Sequence, residues 1–384
     1  MGKIRMAVLG AGPRWMSLVE TYTAHPELEI VAICDRADGY AENACAELKR
    51  IRGMEAVPYH DFEIMAKEAR YDAIFIDCDP DIQVDFAVSE MDRGIHVMTE
   101  VPAAYTIEQC RSLVSAVRRN GVKYQLAEQT RYWHFISQWR EMSKAGEFGQ
   151  IYYAEGEYLH YEKAWDYFRN KKTGHRVWTD DPSLDKDPDY ERTWRYRTFM
   201  EPIFYLPHEL SPLLSITGGR IRTVSCCGSN PGQSYSGFDT RDLECALMQD
   251  DNGVIYSIRA GFTAPYGFKR ETGAHWYQIK GTRKTVEWAR STEDLPKEYT
   301  LEGGWVTHPE WGCNDPNAGE PFRSAAHGGA DYYPIYHFMD AILNDHQPLM
   351  DVYLAVETAA PAILAAESAR RGGVRLEVPD FRKC

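Results

Sequence analysis

Tyr205 and His208 are the two side chains whose spacing best suits proton transfer. They lie three residues apart in a predicted helix, 205–216, so both side chains fall on one face of that helix. An imidazole titrates near neutral pH, and beside a phenol it can take the proton of a hydroxyl group during hydride transfer. A histidine bound to the backbone at a helix end or in the core is the alternative, which residue type alone favours.

Glu128 and Tyr158 form a second candidate pair. Glu128 follows the predicted strand 124–126, and Tyr158 lies in an alternating segment, 151–161. Removal of a proton from a carbon beside a ketone needs a carboxylate or a phenolate, and these side chains are of those two types. A surface glutamate and a buried sheet tyrosine are the alternative.

The remaining histidines and the cysteines do not predict a metal site. His134, His160 and His275 are assigned to the lining of a site or to structural roles. Neither an H-x-x-x-H nor an H-E-x-x-H spacing occurs, and no two cysteines form a C-x-x-C pair. We therefore predict no metal.

A glycine turn near the start of the chain predicts a ligand. Gly10 and Gly12 follow an apolar strand, 4–9, and precede a helical segment, after which a second apolar strand, 30–34, ends at Asp35. This order is typical of a dinucleotide site. The first glycine makes the turn, the second lets the backbone approach a pyrophosphate, and the amides at the helix start face its charge.

The turn departs from the full glycine pattern at two positions. Pro13 removes an amide donor and Trp15 stands where the third glycine is usual, so a tight turn without a ligand is the alternative. Asp35 is expected to accept from the ribose hydroxyls, which favours NAD. Arg36 beside it is placed to receive a 2′-phosphate, so NADP stays open. All four of these residues are assigned to the cofactor site with the two glycines.

Acidic residues follow two further strands of the first part of the chain. Asp79 comes after the strand 72–77, and Glu100 comes after the strand 95–99. Ligands of open α/β sheets bind at the carboxyl ends of strands. Both residues are therefore predicted to lie at the cofactor, with Glu100 orienting backbone and cofactor.

Composition limits the classes of function. The formal net charge of −14 over 384 residues argues against a nucleic-acid or anionic-membrane partner. We find no apolar run long enough to span a bilayer and no signal-peptide core. Nine scattered cysteines, an odd number, predict reduced thiols in the cytoplasm. The 24 tyrosines and 10 tryptophans favour a sugar site, although packing accounts for most of them.

The order of elements predicts an α/β chain with two domains. Residues 1–127 alternate strands and helices, as in a Rossmann domain with a doubly wound parallel sheet. Residues 128–384 predict an α+β domain with a large open, mostly antiparallel sheet. The final helices, 335–343 and 352–370, are placed in the second domain, with packing back on the first as an alternative. The polar stretch 165–201 is predicted to be a long ordered excursion near the site.

Over essentially its whole length the chain resembles the Gfo/Idh/MocA family of sugar-acting oxidoreductases. The matching residues are the glycine turn with Arg14, the strand-end Asp35, 94–102 (GIHVMTEVP), 148–151 (FGQI) and the helix that contains His208. The family usually has a lysine after the glutamate of the fifth strand, where it helps to polarise the reacting hydroxyl. Here that residue is Val101, which cannot transfer a proton. The usual aspartate four residues before the helical histidine is also absent, since Phe204 stands there. Arg14 and Val101 join the predicted cofactor site by this resemblance.

These departures are similar to those of a narrower group, the NAD-dependent α-N-acetylgalactosaminidases. The shared motifs are 100–103 (EVPA), 154–158 (AEGEY), 205–208 (YLPH) and 327–331 (HGGAD). The resemblance implies a tightly held NAD+ that oxidises C3 of a glycoside. The C2 proton then becomes acidic, the aglycone leaves by elimination, water adds and the hydride returns.

The same resemblance implies roles for individual residues. The catalytic acid after the sixth strand falls on Glu128, the strand tyrosine on Tyr158, and the Tyr-x-x-His pair on Tyr205 and His208. A further substrate tyrosine falls near both Tyr266 and Tyr277 and is not assigned to either. The stretch 165–201 departs from the group, so specificity for an N-acetyl sugar is not carried over.

The lead hypothesis is an NAD-dependent enzyme that oxidises a ring hydroxyl of a sugar or glycoside, with redox-neutral cleavage or net dehydrogenation as its outcome. A net NAD(P)-dependent sugar dehydrogenase or keto-sugar reductase is therefore one alternative. A non-catalytic NAD-binding sensor, which Val101 supports, is the other. The family also implies a homo-oligomer, and we expect no nucleic-acid or membrane partner.

Overall fold

The computed structural model describes residues 2–161, 165–179, 181–193, 201–233, 240–263 and 268–383. The chain divides into two units. The first is built from three segments: Met1–Ala127, Ala164–Thr198 and Asp331–Val356. The second is built from the other three: Glu128–Lys163, Phe199–Ala330 and Glu357–Cys384. The predicted division after residue 127 recurs here, but two later segments group with the first unit. A single second domain over 128–384 was predicted, with the final helices packing back on the first domain as an alternative.

The strands of the described residues form three sheets. In chain order they are Ile4–Leu9 (β1), Leu28–Cys34 (β2), Val57–Tyr59 (β3), Ala73–Ile76 (β4), His96–Thr99 (β5), Tyr124–Leu126 (β6), Ile151–Leu159 (β7), Trp165–Asn170 (β8), Arg176–Thr179 (β9), Tyr190–Arg192 (β10), Ile221–Gly228 (β11), Leu243–Asp250 (β12), Ile255–Gly261 (β13), His275–Gly281 (β14), Lys284–Glu287 (β15), Lys297–Thr300 (β16), Gly304–Thr307 (β17) and Leu376–Glu377 (β18).

The α-helices of the residues that the structure describes are numbered α1 to α9 in chain order. They are Pro13–Tyr22 (α1), Tyr40–Arg52 (α2), Phe62–Glu68 (α3), Pro80–Asp92 (α4), Ile107–Asn120 (α5), His134–Lys144 (α6), Pro207–Thr217 (α7), Tyr332–Leu343 (α8) and Val352–Arg370 (α9). Short 3-10 turns lie at Thr130–Tyr132, Pro182–Lys186 and Pro202–Tyr205.

The first unit contains a parallel sheet in the order β3-β2-β1-β4-β5-β6. Every residue of β4 is buried, as expected for a parallel strand covered on both faces. Helix α5 begins at a capping box formed by Thr106 and Gln109 and ends at Gly121, whose φ of +65° suits only glycine well. The Rossmann-type fold predicted from the alternating pattern is confirmed.

The first unit also includes α8 and a small antiparallel sheet in the order β10-β8-β9. Helix α8 packs on α1, and the rings of His25 and Tyr332 stack with centroids 6.5 Å apart. The small sheet lies within the polar stretch 165–201, for which the sequence predicted order but no strands.

The second unit contains a mixed nine-stranded sheet in the order β17-β16-β15-β14-β7-β13-β12-β11-β18. All of its pairings are antiparallel except that of β7 with β13. The open, mostly antiparallel sheet predicted for this part of the chain is confirmed. The short strands β15 to β18 were not predicted, because two to four residues are too few to establish an alternating pattern.

The start of α7 differs in detail from the predicted helix 205–216. Tyr205 ends the 3-10 turn that precedes α7, and His208 lies in the first turn of α7 after Pro207. Proline suits the first helical position because its missing N–H has no partner there in any case. Tyr205 and His208 therefore do not share one regular helix, although they stay close in space.

Helix α9 corrects the expectation that no segment could span a membrane. Among the described residues it is the one helix whose length and composition would allow it. Of its most apolar stretch, 83% is buried inside the protein. Core helices of soluble proteins can have the same length and composition.

Candidate functional site

The glycine turn between β1 and α1 leaves room for a ligand. Gly10 has a φ of +98°, and a Cβ atom on it would lie 1.8 Å from the backbone oxygen of Asp77, so only glycine fits there. Gly12 precedes α1, which has no side-chain cap, and a Cβ atom on Gly12 would meet no heavy atom within 4 Å. Amide groups at an uncapped helix start beside open space fit the pyrophosphate of a dinucleotide.

Trp15 occupies the third glycine position as part of the core. Its indole is fully buried, with ring centroids 5.9 Å from Phe75 and 6.5 Å from Tyr22. Only the backbone amide of Trp15 is therefore left for a ligand, and Pro13 has no amide to offer. The sequence assigned both residues to the cofactor site. Their side chains do not serve a ligand there directly; they shape the backbone of the turn.

Asp35 holds the glycine turn together. Its Oδ2 accepts from the backbone N–H of Ala11 over 2.7 Å, and its Oδ1 accepts from the N–H of Ala37 over 2.8 Å. Each carboxylate oxygen has a second lone pair, so both can still accept from ribose hydroxyls. The predicted role of Asp35 toward NAD therefore stays compatible with these bonds.

Arg14, in the first turn of α1, is fixed by two carboxylates. Its Nε donates to Glu100 over 2.7 Å, and its Nη2 lies 3.9 Å from Asp331. Burial alone would lower the pKa of Arg14, but these carboxylates outweigh burial and raise it. Glu100 also accepts from the backbone N–H of Val101 over 3.0 Å, which agrees with its predicted orienting role.

Asp79 binds arginines of the same unit. Its carboxylate lies 2.5 Å from Arg176, 3.3 Å from Arg169 and 3.5 Å from Arg36. Asp79 and Arg36 were predicted to face the cofactor, and the structure pairs them with each other. Arg169 and Arg176 were not foreseen, because nothing in local spacing links the stretch 165–201 to the end of β4.

Glu128 and His208 form a buried acid–histidine pair in the second unit. The Oε1 atom of Glu128 accepts from the backbone N–H and the hydroxyl of Thr130, over 2.8 and 2.7 Å. Its Oε2 lies 2.7 Å from Nδ1 of His208. Burial by itself would raise the pKa of Glu128, but His208 and Thr130 outweigh burial and lower it. Glu128 is therefore a carboxylate held against an imidazole.

The backbone of His208 is anchored as well. Its carbonyl oxygen accepts from the hydroxyl of Tyr277 over 3.0 Å and lies 2.5 Å from the hydroxyl oxygen of Thr130. This bond and full burial give Tyr277 a supporting role. Tyr266, the other tyrosine considered for the substrate, lies outside the described residues.

Aromatic rings complete the cluster. The ring of Tyr158 has its centroid 5.5 Å from that of His208 and 5.7 Å from that of Tyr205. Phe262 packs on Tyr205 with centroids 4.9 Å apart. The structure thus brings together all four side chains that the sequence assigned to catalysis: Glu128, Tyr158, Tyr205 and His208.

A second acid–histidine pair lies beside the first. Its histidine was named from the sequence, but its pairing with an acid was not predicted. His275 Nδ1 is 2.6 Å from Oε1 of Glu209, and the His275 ring stacks on Tyr158 at 4.4 Å. Burial and the nearby Glu128 raise the pKa of Glu209 well above its ordinary value. Burial, followed by His208 and other cations, lowers the pKa of His275. Both shifts favour a neutral pair.

Strand pairing is the feature that brings His275 next to Tyr158. Tyr158 on β7 lies directly opposite His275 on β14, but that register is set by sheet order rather than by local sequence. Gly156 leaves space for the second pair, since a Cβ atom there would lie 2.7 Å from Cβ of Glu209. In the described part of the chain no three His, Cys, Asp or Glu side chains are placed to hold a metal ion.

The cluster of the second unit can move protons at two points. A carboxylate-bound imidazole can take a hydroxyl proton, and the adjacent phenols can take or return another.

Comparison with known proteins places the chain in a family. The description "Oxidoreductase family, NAD-binding Rossmann fold" matches residues 4–128, and "Oxidoreductase family, C-terminal alpha/beta domain" matches residues 140–378. Both descriptions belong to one family, Gfo/Idh/MocA, and together they span most of the chain.

Relatives of known name are similar over the whole chain. A glycosyl hydrolase family 109 protein of Parabacteroides distasonis is 24% identical, over 100% of this chain and 87% of the relative. An α-N-acetylgalactosaminidase of Tannerella forsythia is 26% identical, over 100% and 87%.

Solved structures share the fold. A levoglucosan dehydrogenase in complex with NADH and L-sorbose has a TM-score of 0.75 at 15% identity, over 99% of this chain and 100% of the other. The myo-inositol 2-dehydrogenase of Lactobacillus plantarum has a TM-score of 0.73 at 15% identity, over 98% and 100%.

Proposed function

Because this chain belongs to the Gfo/Idh/MocA family of NAD-binding oxidoreductases, we propose that it oxidises a ring hydroxyl of a sugar or glycoside, at C3, and cleaves the glycoside without net redox change. The observation that carries the proposal is the Glu128–His208 pair surrounded by Tyr158 and Tyr205. When bound, NAD+ supplies the acceptor for the hydride of C3 and returns it at the end of the cycle.

His208 is the group that we assign to the hydroxyl proton. Its Nδ1 lies against Glu128, so Nε2 is the ring nitrogen for the substrate. The contact with Glu128 also fixes the orientation of the ring, which leaves Nε2 to take the hydroxyl proton. Tyr205 lies beside His208, with ring centroids 6.3 Å apart, and orients the same hydroxyl.

Tyr158 is the group that we assign to the C2 proton. Glu128 is fully buried, and both of its oxygens are engaged, so it acts through His208 rather than on the sugar. This assignment changes the role expected from the sequence, in which Glu128 itself was the acid or base. The phenol of Tyr158 is only partly buried and lies between two histidines, His208 and His275.

Three considerations support net cleavage over net dehydrogenation. The relatives named as glycoside hydrolases align over the full chain. The residue after Glu100 is Val101, so the position that usually holds a lysine transfers no proton. The stacked rings around Tyr158 suit the C–H faces of a sugar.

Incubation with a panel of aryl hexosides, without added NAD, tests this function. We expect the purified protein to release aglycone for many turnovers per protein molecule. A keto sugar that accumulates with reduced cofactor would instead show a net dehydrogenase. Absence of both products across the panel would contradict the proposal and favour an NAD-binding sensor.

The cellular setting belongs to the same proposal. The eight cysteines among the described residues are all free thiols, which supports a reducing compartment such as the cytoplasm. A small sugar or glycoside is the partner that we propose, with neither nucleic acid nor membrane.

A further inference from the structure

The small sheet β8–β10 is bonded to the loop that follows β2. The backbone N–H of Asp38 donates to the carbonyl oxygen of Thr173 over 2.8 Å, and Nε2 of His175 lies 2.9 Å from the carbonyl oxygen of Asp38. The His175 ring also stacks on Tyr40, with centroids 4.7 Å and planes 24° apart. The turn between β8 and β9 is therefore attached to this loop by backbone and side chain.

Gly174 makes this attachment close. Its φ is +74°, and a Cβ atom on it would lie 2.7 Å from Cα of Ala37 and 3.1 Å from the backbone oxygen of Arg36. Since real Cβ atoms do not approach so closely, the turn can lie against the loop only with glycine at this position.

A second attachment lies at Asp79, at the end of β4. Arg176 and Arg169 reach its carboxylate over 2.5 and 3.3 Å, and Arg36 joins them at 3.5 Å. Asp79 precedes α4 but makes no side-chain cap bond to it. Arg169 is nearly fully buried and also lies 3.9 Å from Glu191 of the same sheet.

The two attachments lie on either side of the glycine turn, because β2 and β4 flank β1 in the sheet. The end of β2 is where a dinucleotide site holds the adenosine ribose. We propose that the sheet β8–β10 is a clasp that fixes the adenosine half of a bound dinucleotide and makes its release slow.

This inference rests on the proposed function, in which one NAD molecule serves many turnovers. Ligand-binding loops are usually among the least stable parts of a protein. Here the loop after β2 can open only if the bonds of Asp38, the His175–Tyr40 stack and the contact of Arg36 with Asp79 break. A cofactor held in this way stays bound from the removal of the hydride to its return, as redox-neutral cleavage requires.

The rate of NAD+ release measures the clasp. The holoprotein is loaded with radiolabelled NAD+, excess unlabelled NAD+ is added, and the label that stays bound is followed over time. We expect the double variant His175→Ala, Arg176→Gln to release NAD+ about tenfold faster or more. Lys172→Gln is the matched control, since Lys172 lies in the same turn but pairs with Asp189, and it is expected to release at the wild-type rate.

Gly174→Val tests the same clasp by a different route. Its side chain would displace the turn from Ala37, and we expect a similar acceleration, with thermal unfolding used to confirm that each variant is folded. A double variant that releases NAD+ no faster than wild type overturns the clasp, even if the protein cleaves glycosides. Equal acceleration by Lys172→Gln overturns it too. A wild-type protein that binds no NAD+ overturns the proposed function, and the clasp with it.

Discussion

Two neighbouring carboxyl groups of the second unit are held in opposite states. The pKa of Glu128 is lowered, despite burial, by His208 and Thr130. The pKa of Glu209 is raised well above its ordinary value by burial and by the charge of Glu128. Two like charges inside a protein repel, and the raised pKa of Glu209 favours its protonated form beside the charged Glu128. The single negative charge is the one beside the proposed base.

Replacement of these two acids should therefore have different effects. Glu128→Gln removes the carboxylate that lies against Nδ1 of His208 and orients its ring, and we expect kcat for glycoside cleavage to fall about 100-fold. Glu209→Gln replaces an acid that is already neutral with a side chain of the same shape, and we expect kcat within about threefold of wild type. Steady-state kinetics on an aryl hexoside distinguishes them, and equal losses would contradict the assignment.

His160 makes folding sensitive to acid. Burial, His208 and other cations lower its pKa from 6.5 to about 4. Because the unfolded chain takes up this proton more readily, the contribution of His160 to stability is complete above pH 6.5 and is lost as the pH falls toward 4. When the pH falls from 6.5 to 5, the unfolding free energy of the wild-type protein should fall by about 1–2 kcal/mol more than that of His160→Gln. Urea unfolding at both pH values measures this, and parallel losses would contradict it.

Some site residues could be predicted from the sequence and others could not. Tyr205, His208 and Glu128 follow recognisable elements, but type and spacing alone left structural roles open, and the resemblance to the family was needed to select them. Glu209 and His275 form their pair only through the packing of α7 on β7 and the register of β7 with β14. Such long-range contacts leave no periodic signal in the chain.

At the scale of elements, the two glycines of the glycine turn have different roles, Gly10 in folding and Gly12 in binding. Gly10→Ala places a Cβ atom against Asp77 at a positive φ, so we expect the unfolding free energy to fall by at least about 1–3 kcal/mol. Gly12→Ala places a Cβ atom in open space at an ordinary φ, so we expect near wild-type stability but at least about tenfold weaker NAD+ binding. Thermal unfolding and calorimetric titration test both, and tight NAD+ binding by Gly12→Ala would argue against a pyrophosphate at this turn.

The elements themselves were predictable where the hydrophobic pattern is strong. The buried run of β4 and the capped helix α5 lie close to their predicted positions. The small sheet β8–β10 was not predicted, because its polar sequence shows neither period and its order depends on contacts with the loop after β2 and with Asp79. Those contacts also place this segment with the first unit.

At the scale of the whole molecule, we propose that an exposed apolar face of the large sheet mediates self-association. Leu243, Leu247 and Ile255 project from β12 and β13 with 38%, 57% and 41% of their surface exposed. We expect the protein to be a homo-oligomer and Leu247→Lys to lower its mass in light scattering. Val57→Lys, at an exposed apolar residue of β3, is the control and should leave the mass unchanged. A monomeric wild-type protein would contradict this proposal.

The two units divide the proposed chemistry between them. The first has the glycine turn, Asp35 and Arg14, which suit a dinucleotide. The second has the Glu128–His208 pair and the rings around it, which suit proton transfer. The residues that suit a dinucleotide are those expected of an oxidoreductase family. The acid–base cluster supplies the proton transfers that hydrolysis without net redox change needs.

Cleavage of an aryl hexoside in D2O tests the central claim most directly. If C3 is oxidised so that the C2 proton is lost, elimination and water addition must place a solvent hydrogen on C2. We predict that the released sugar carries deuterium at C2 and that unreacted substrate does not, as read by NMR and mass spectrometry. A released sugar with its original hydrogen at C2 would contradict the oxidation–elimination route and indicate direct displacement at the anomeric carbon.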